Sequence, residues 1–246
     1  MNKLIRRQIA ILSLLAPLAA TAQPSTESLQ ADSSNRFTVH VAGPADAKAG
    51  IVLVHDWFGV SRFYLDATQR LAEKGYRVVA VDLYEGRHAT THDEAGALMQ
   101  SMDAALAAKK IDAAVQSLTT GQPRKVGIMG FSMGGKPALE AAMRNKAIVA
   151  STIWYGETIT HPARLKKLTG PVLLVVGSKD GPAAASNAAA LSRAADDAGA
   201  KAEIFVYPGA AHAFAQPLFN QGKTYDAAAA DVAWRLTESF FARQLK

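Results

Sequence analysis

The stretch KVGIMGFSMGGKPALEAAMR, residues 125–144, decides the fold. It opens with a near-continuous apolar run, Val126–Phe131. It passes through Gly130-Phe131-Ser132-Met133-Gly134-Gly135 and continues as Gly134–Arg144, whose apolar residues recur at helical spacing. An unbroken apolar run of this length suits a parallel strand covered on both faces. A G-x-S-x-G sequence between such a strand and a helix makes a tight turn that exposes the serine hydroxyl above the sheet, and its glycines relieve the crowding. The start of the helix also points N–H groups at the place where an oxyanion would develop. Ser132 is therefore the candidate nucleophile. The five letters alone would favour a Gly-rich turn that merely joins strand to helix; the placement favours the serine turn.

The same alternation extends in both directions. Apolar strand candidates are Phe37–Val41, Ile51–His55, Val78–Leu83, Val126–Phe131, Ile148–Trp154, Val172–Val176 and Glu203–Tyr207. Between them Ser61–Lys74, Thr91–Thr119, Gly134–Arg144, Ala183–Ala198 and Thr224–Arg243 carry helical spacing, with Thr91 and Glu94 placed for a capping box. Strands alternating with helices predict an α/β fold: one domain over residues 36–246, with a doubly wound, mostly parallel sheet and helices on both faces. No internal repeat and no second domain is expected. Residues 23–35, rich in Ser, Thr, Gln and Asp, read as a linker to that body.

Residues 1–22 read as a secretory signal peptide. Lys3, Arg6 and Arg7 form a basic start, Ile9–Ala20 an apolar run too short to span a bilayer comfortably, and Ala20-Thr21-Ala22 a small-residue cleavage site. The alternative is an anchoring amphipathic helix. Cleavage after Ala22 would release the protein to the periplasm or the exterior. The leader also accounts for half of the formal +6 charge, leaving 24 basic and 21 acidic side chains in the remainder. That imbalance is too small, and its residues too scattered, to argue for nucleic acid. The chain has no cysteine, which excludes disulfides, a thiolate nucleophile and cysteine-based metal sites. His40, His55, His88, His92 and His161 are scattered; His88 and His92 are four apart but lack the glutamate of an H-E-x-x-H helix, so neither a metal nor another cofactor is expected.

A serine nucleophile on this turn needs an acid and then a histidine, each on a loop after a later strand. Val172–Val176 runs into Gly177-Ser178-Lys179-Asp180, and Glu203–Tyr207 runs into Pro208-Gly209-Ala210-Ala211-His212. Alone, Asp180 would be a turn acid and His212 a loop histidine; in this order they complete a Ser132–Asp180–His212 triad. His212 would take the serine proton and later protonate a leaving alkoxide, with Asp180 holding its tautomer. The oxyanion donors would be the backbone N–H of Met133 and one from the loop His55-Asp56-Trp57-Phe58-Gly59.

The segments IVLVHDWFGV, VVAVDLYEGR, VGIMGFSMGG, GSKDGP and PGAAHAFA together resemble the dienelactone hydrolase family, over roughly residues 37–245. The resemblance implies the α/β-hydrolase fold, a triad at Ser132, Asp180 and His212, and oxyanion donors at Trp57 and Met133. It implies hydrolysis of a small-molecule ester or lactone, without cofactor, nucleic acid or membrane once the leader is gone, by a chain expected to be a monomer. Two departures stand out. The nucleophile, a cysteine in the best-known members, is Ser132, which suits an oxidising compartment. The acid of the early loop, usually Glu, is matched by the shorter Asp56, which either contacts the nucleophile at rest or orders the loop. The family binds a dienelactone carboxylate with arginines; one of those positions is Gln216 here, and Arg87 lies near the other. Tyr155, Trp57 and Phe58 are open to two readings, pocket wall or ordinary core. The competing functions are a polyester or peptide hydrolase on the same fold, and a non-catalytic binding protein on a hydrolase scaffold.

Overall fold

The computed structural model describes residues 23–122, 124–181 and 184–245, so the expected signal peptide lies outside the described residues. Eight strands form one sheet in the order β1-β2-β4-β3-β5-β6-β7-β8. They are β1 (Ser25–Gln30), β2 (Arg36–Ala42), β3 (Ala49–Val54), β4 (Arg77–Val81), β5 (Lys125–Phe131), β6 (Ile148–Trp154), β7 (Val172–Lys179) and β8 (Ala202–Ala211). β1 and β2 are antiparallel to their neighbours; β3 to β8 run parallel.

The continuous apolar runs have the cause expected of them. In β3, Val52 and Val54 face one side of the sheet while Ile51 and Leu53 face the other, and all four are buried. A strand alternates its side chains, so two covered faces demand apolar residues at every position. One face is covered by α3 (Ala104–Thr119), α4 (Gly135–Arg144) and α6 (Ala184–Ala198), the other by α1 (Arg62–Ala72) and α7 (Ala227–Leu245). α2 (His92–Ser101) and the four-residue α5 (Pro162–Leu165) lie in the connections.

Three boundaries differ from the sequence expectation. The segment 23–35 is not a linker: its residues 25–30 form β1, paired with β2 from Ser25↔Val41 to Gln30↔Arg36. Asp32 accepts from the N–H groups of Ser34 and Asn35 in the hairpin turn and is ion-paired with Lys109 of α3, whose ammonium holds its carboxyl well below the usual range. A mostly exposed edge strand is bonded through its backbone, so it shows no apolar alternation to read. The helix expected over Thr91–Thr119 is two helices. Met102 is extended, and the Asp103 side chain accepts from the N–H groups of Ala105 and Leu106, which starts α3 afresh. The capping box of Thr91 and Glu94 is formed. Finally, β7 and β8 run further than their apolar cores, to Lys179 and Ala211.

The sheet order places the site. The chain leaves β3 for β4 on one side and returns to β5 on the other, so the loops after β3 and β5 lie side by side at the carboxyl edge, the usual binding crevice of an open α/β sheet.

On the opposite face, β6 is tied to α7 by one buried hydrogen bond, from Trp154 Nε1 to Thr237 Oγ1 at 2.9 Å. Thr237→Val would keep the shape and strand the indole N–H in the core. A loss of about 1–3 kcal/mol is expected, read as a lower urea midpoint with an unchanged m-value.

Candidate active site

Ser132 is the first residue after β5 and opens a single 3-10 turn, Ser132–Gly134, that leads into α4. Its φ is +49°, a left-handed conformation that costs a non-glycine residue about 1–3 kcal/mol. The glycines make the turn possible. A Cβ on Gly134 would sit 2.5 Å from the carbonyl oxygens of Val54 and His55, and one on Gly130 would collide with the Gly134 carbonyl. The turn that carries Ser132 therefore packs directly against the end of β3.

Two further loops deliver the partners. Asp180 follows β7 and His212 follows β8. Ser132 Oγ lies 2.9 Å from His212 Nε2, and His212 Nδ1 lies 2.7 Å from Asp180 Oδ1. The three residues expected to act together are thus joined in one chain of hydrogen bonds. Asp180 is largely buried, and the His212 side chain is 38% exposed. Tyr155, directly after β6, packs its ring edge against His212 at 5.4 Å between centroids. Ser132, Tyr155 and Ala213 all have positive φ, at +49°, +40° and +56°. Each stands at or just beyond the end of a sheet strand, so backbone strain is gathered around the triad.

The early loop is held by a buried polar cluster. Asp56 accepts from the Phe58 N–H at 2.8 Å and from Gln216 Nε2 at 2.8 Å, and its own N–H donates to Tyr64 Oη at 3.1 Å. Gln216 also reaches the hydroxyls of Tyr64 and Tyr155, each at 3.4 Å. Burial pushes both phenols well above their usual pKa, so they remain neutral partners. Of the two roles open to Asp56, these contacts match the ordering of the loop that carries Trp57: both of its carboxylate oxygens are engaged there. Gln216 ties that loop to the histidine loop and lies buried, not against Ser132.

His55 does similar work from beneath. Its Nδ1–H donates to the Asp56 carbonyl, and its Nε2 accepts from the Leu83 N–H at 3.1 Å. The ring is therefore neutral and in one tautomer. Tyr84 packs on it at 4.9 Å and donates its hydroxyl to Met133 Sδ at 3.3 Å, so the loops after β3, β4 and β5 are mechanically joined.

Ser132, His212, Met133, Trp57 and Tyr155 line one cleft of about 840 Å³. Arg87 and Gln216, which match or lie near the family's arginine positions and are open by sequence to a role at the substrate or one layer behind it, are not among the residues lining it: Arg87 is exposed and donates to the Tyr84 carbonyl, and Gln216 supports the loop of Asp56. The place of Gln216 along the chain does not fix where its side chain points. Phe58 faces a neighbouring hollow of about 890 Å³, while Trp57 and Tyr155 line the cleft itself. Met99, Met102, His92 and Phe219 complete the wall, and none was singled out in the sequence as a pocket residue. The Asp103 cap was the one local signal that could have placed the two methionines at a helix break; Phe219 carries none.

Fold and site define an α/β-hydrolase, a hydrolase scaffold with a nucleophile turn at the sheet's carboxyl edge. The dienelactone hydrolase family matches over residues 37–245, and the chain belongs to that family. A provisionally named carboxymethylenebutenolidase of Aquifex aeolicus is 26% identical over 221 residues, covering 84% of this chain and 93% of that one. Another so named, from Salmonella typhimurium, is 30% identical over 212 residues, covering 78% and 76%. Among solved structures, a provisionally assigned dienelactone hydrolase from Klebsiella pneumoniae superposes with a TM-score of 0.76 at 24% identity, covering 89% of this chain and 98% of that one.

Burial holds the His55 pKa below the ordinary 6.5. As pH falls below 6.5, the unfolded chain takes up this proton before the folded one does, so stability falls with pH until the folded ring also protonates; above 6.5 the effect vanishes. Half-buried His40 is shifted in the same direction. Unfolding followed between pH 7.5 and 5 should show stability falling by up to about 1.4 kcal/mol per pH unit per such histidine. His55→Gln should flatten that slope.

Proposed function

We propose that this chain is an exported serine hydrolase that cleaves carboxylic esters or lactones through an acyl-enzyme. The observation that carries the reading is the hydrogen-bonded series Ser132 Oγ–His212 Nε2 and His212 Nδ1–Asp180 Oδ1, at 2.9 and 2.7 Å, opening into a cleft. The names borne by the relatives, carboxymethylenebutenolidase and dienelactone hydrolase, support the ester or lactone bond as its target.

The geometry supports the following reaction. His212 accepts the Ser132 proton as Oγ attacks the substrate carbonyl, and the carbonyl π pair moves onto oxygen. The N–H groups of Met133 and Trp57 receive that oxyanion; one such donor typically lowers the barrier by about 3–4 kcal/mol. The tetrahedral adduct collapses, and the leaving alkoxide takes the proton from His212. Water then attacks the acyl-enzyme with His212 again as base, releasing the acid and restoring Ser132. Asp180, bonded to Nδ1, keeps Nε2 facing the serine and stabilises the imidazolium. The left-handed Ser132 backbone presents Oγ to the cleft without a search over conformers.

Export rests on residues 1–22, with their basic start, short apolar run and Ala20-Thr21-Ala22 site. A cysteine-free chain with a serine nucleophile suits the oxidising compartment to which such a leader would deliver it.

Purified protein should be labelled stoichiometrically by a fluorophosphonate at Ser132 and should release a burst of p-nitrophenol from an activated ester. Ser132→Ala should abolish labelling and cut kcat by about 10⁶. Asp180→Asn should leave the fold intact and cost about 10⁴. Full turnover in Ser132→Ala would exclude the mechanism. Protein recovered from a bacterial periplasmic fraction should begin at Gln23; recovery in the cytoplasm with Met1 or Asn2 as the first residue would exclude export.

A further inference from the structure

The cleft around Ser132 has two unlike halves. Its outer rim is charged, yet every Lys, Arg, Asp and Glu that lines it is engaged with an opposite charge. Lys136 pairs with Glu157 at 3.0 Å, Glu140 with Arg164 at 2.9 Å, and Arg144 with Asp112 at 3.1 Å. Among the described residues, no unpaired lysine or arginine faces the cleft. The two side chains best suited by sequence position to hold a carboxylate stand elsewhere, Arg87 on the surface and Gln216 bonded to Asp56. A substrate carboxylate entering here would meet only cations that already have a carboxylate partner.

The other half is apolar, and the helix break makes it so. α2 buries only Ala95 against the body of the protein. Met99, in its last turn, is 40% exposed and lines the cleft; Met102 follows at the break. Ala104, Ala107 and Ala108, in the first two turns of α3, continue the wall with side chains too short to obstruct it. Thioether side chains are unbranched and polarisable, and adapt to flexible apolar ligands. A cleft of about 840 Å³ is large enough for a drug-sized molecule and much larger than an acetyl group needs.

We propose that the substrate class is an uncharged ester whose apolar chain lies along Met99, Met102 and the α3 alanines. The proposal rests on the serine-hydrolase reading above and narrows it: the anionic lactone that gives the family its name is disfavoured. Met99 and Met102 are then residues that set specificity, acting on the bound chain and not on the reacting atoms.

The test uses the full-length purified protein and p-nitrophenyl esters from acetate to octanoate, with p-nitrophenyl hemiglutarate as the anionic counterpart of the neutral pentanoate. kcat/KM should rise up to about fourfold per added methylene while the chain is buried, the factor that about 0.8 kcal/mol per methylene implies. The hemiglutarate should be at least tenfold poorer than the pentanoate. Met99→Glu should lower the ratio of octanoate to acetate kcat/KM at least tenfold, and Met99→Leu should preserve it; the ratio cancels any general loss of folded enzyme. A flat chain-length series, or a hemiglutarate that matches the pentanoate, overturns the proposal while Ser132 labelling leaves the hydrolase reading standing. Failure of Ser132 to label, with no turnover of any ester, removes the hydrolase reading and this proposal with it.

Discussion

The close approach of the Gly130–Gly135 turn to the end of β3 is the constraint on which the site depends. Val54 pairs with Gly130 in the sheet, and Gly134 passes so near the Val54 and His55 carbonyls that no side chain fits between. This contact sets the serine turn and the early loop side by side. Ser132, in the same turn, has a left-handed backbone, a strain held by the strands packed around it. Histidine and acid are then brought to the same edge by β7 and β8, the next strands outward past β6. A side chain at Gly130 or Gly134 would collide with backbone and push the Ser132 turn away from the loop after β3.

Around that contact the protein uses buried polar bonds in place of apolar packing. His55 joins the loop after β3 to the loop after β4; Tyr84 joins the latter to Met133; Gln216 joins Asp56 to the histidine loop. Buried hydrogen bonds of this kind contribute little net stability but are directional, and leaving one unmade is costly. They suit a site in which donors must be held within fractions of an ångström of a developing charge. The neutral amide of Gln216 fits this role, since it spans Asp56 and two neutral phenols without introducing a second buried charge.

The cleft shows a different economy. Its Ser132 end is built on strand ends, whereas its apolar wall joins Met99, from α2 with its single buried residue, to Met102 and the first alanines of the well-buried α3. Contacts along such a wall can change while the Ser132–His212–Asp180 hydrogen bonds stay in place, because the two are carried by different elements.

Much of this was legible along the chain. The unbroken apolar runs of β3, β5 and β7 announced a parallel sheet covered on both faces, because both faces of each strand must be apolar. Ser132, Asp180 and His212 were readable because the chemistry demands those residue types at strand ends in that order. β1 was not, since an exposed edge strand is held by backbone bonds that leave no pattern in side chains. Nor was the break at Met102, where one cap residue outweighed a long stretch of helical spacing. Gln216, Arg87, Met99 and Phe219 mark the boundary most clearly. Sequence position determined what each could do chemically; only the packing of distant segments decided which way each side chain points. Gln216 meets Asp56 across 160 residues of chain, a contact that no local periodicity encodes.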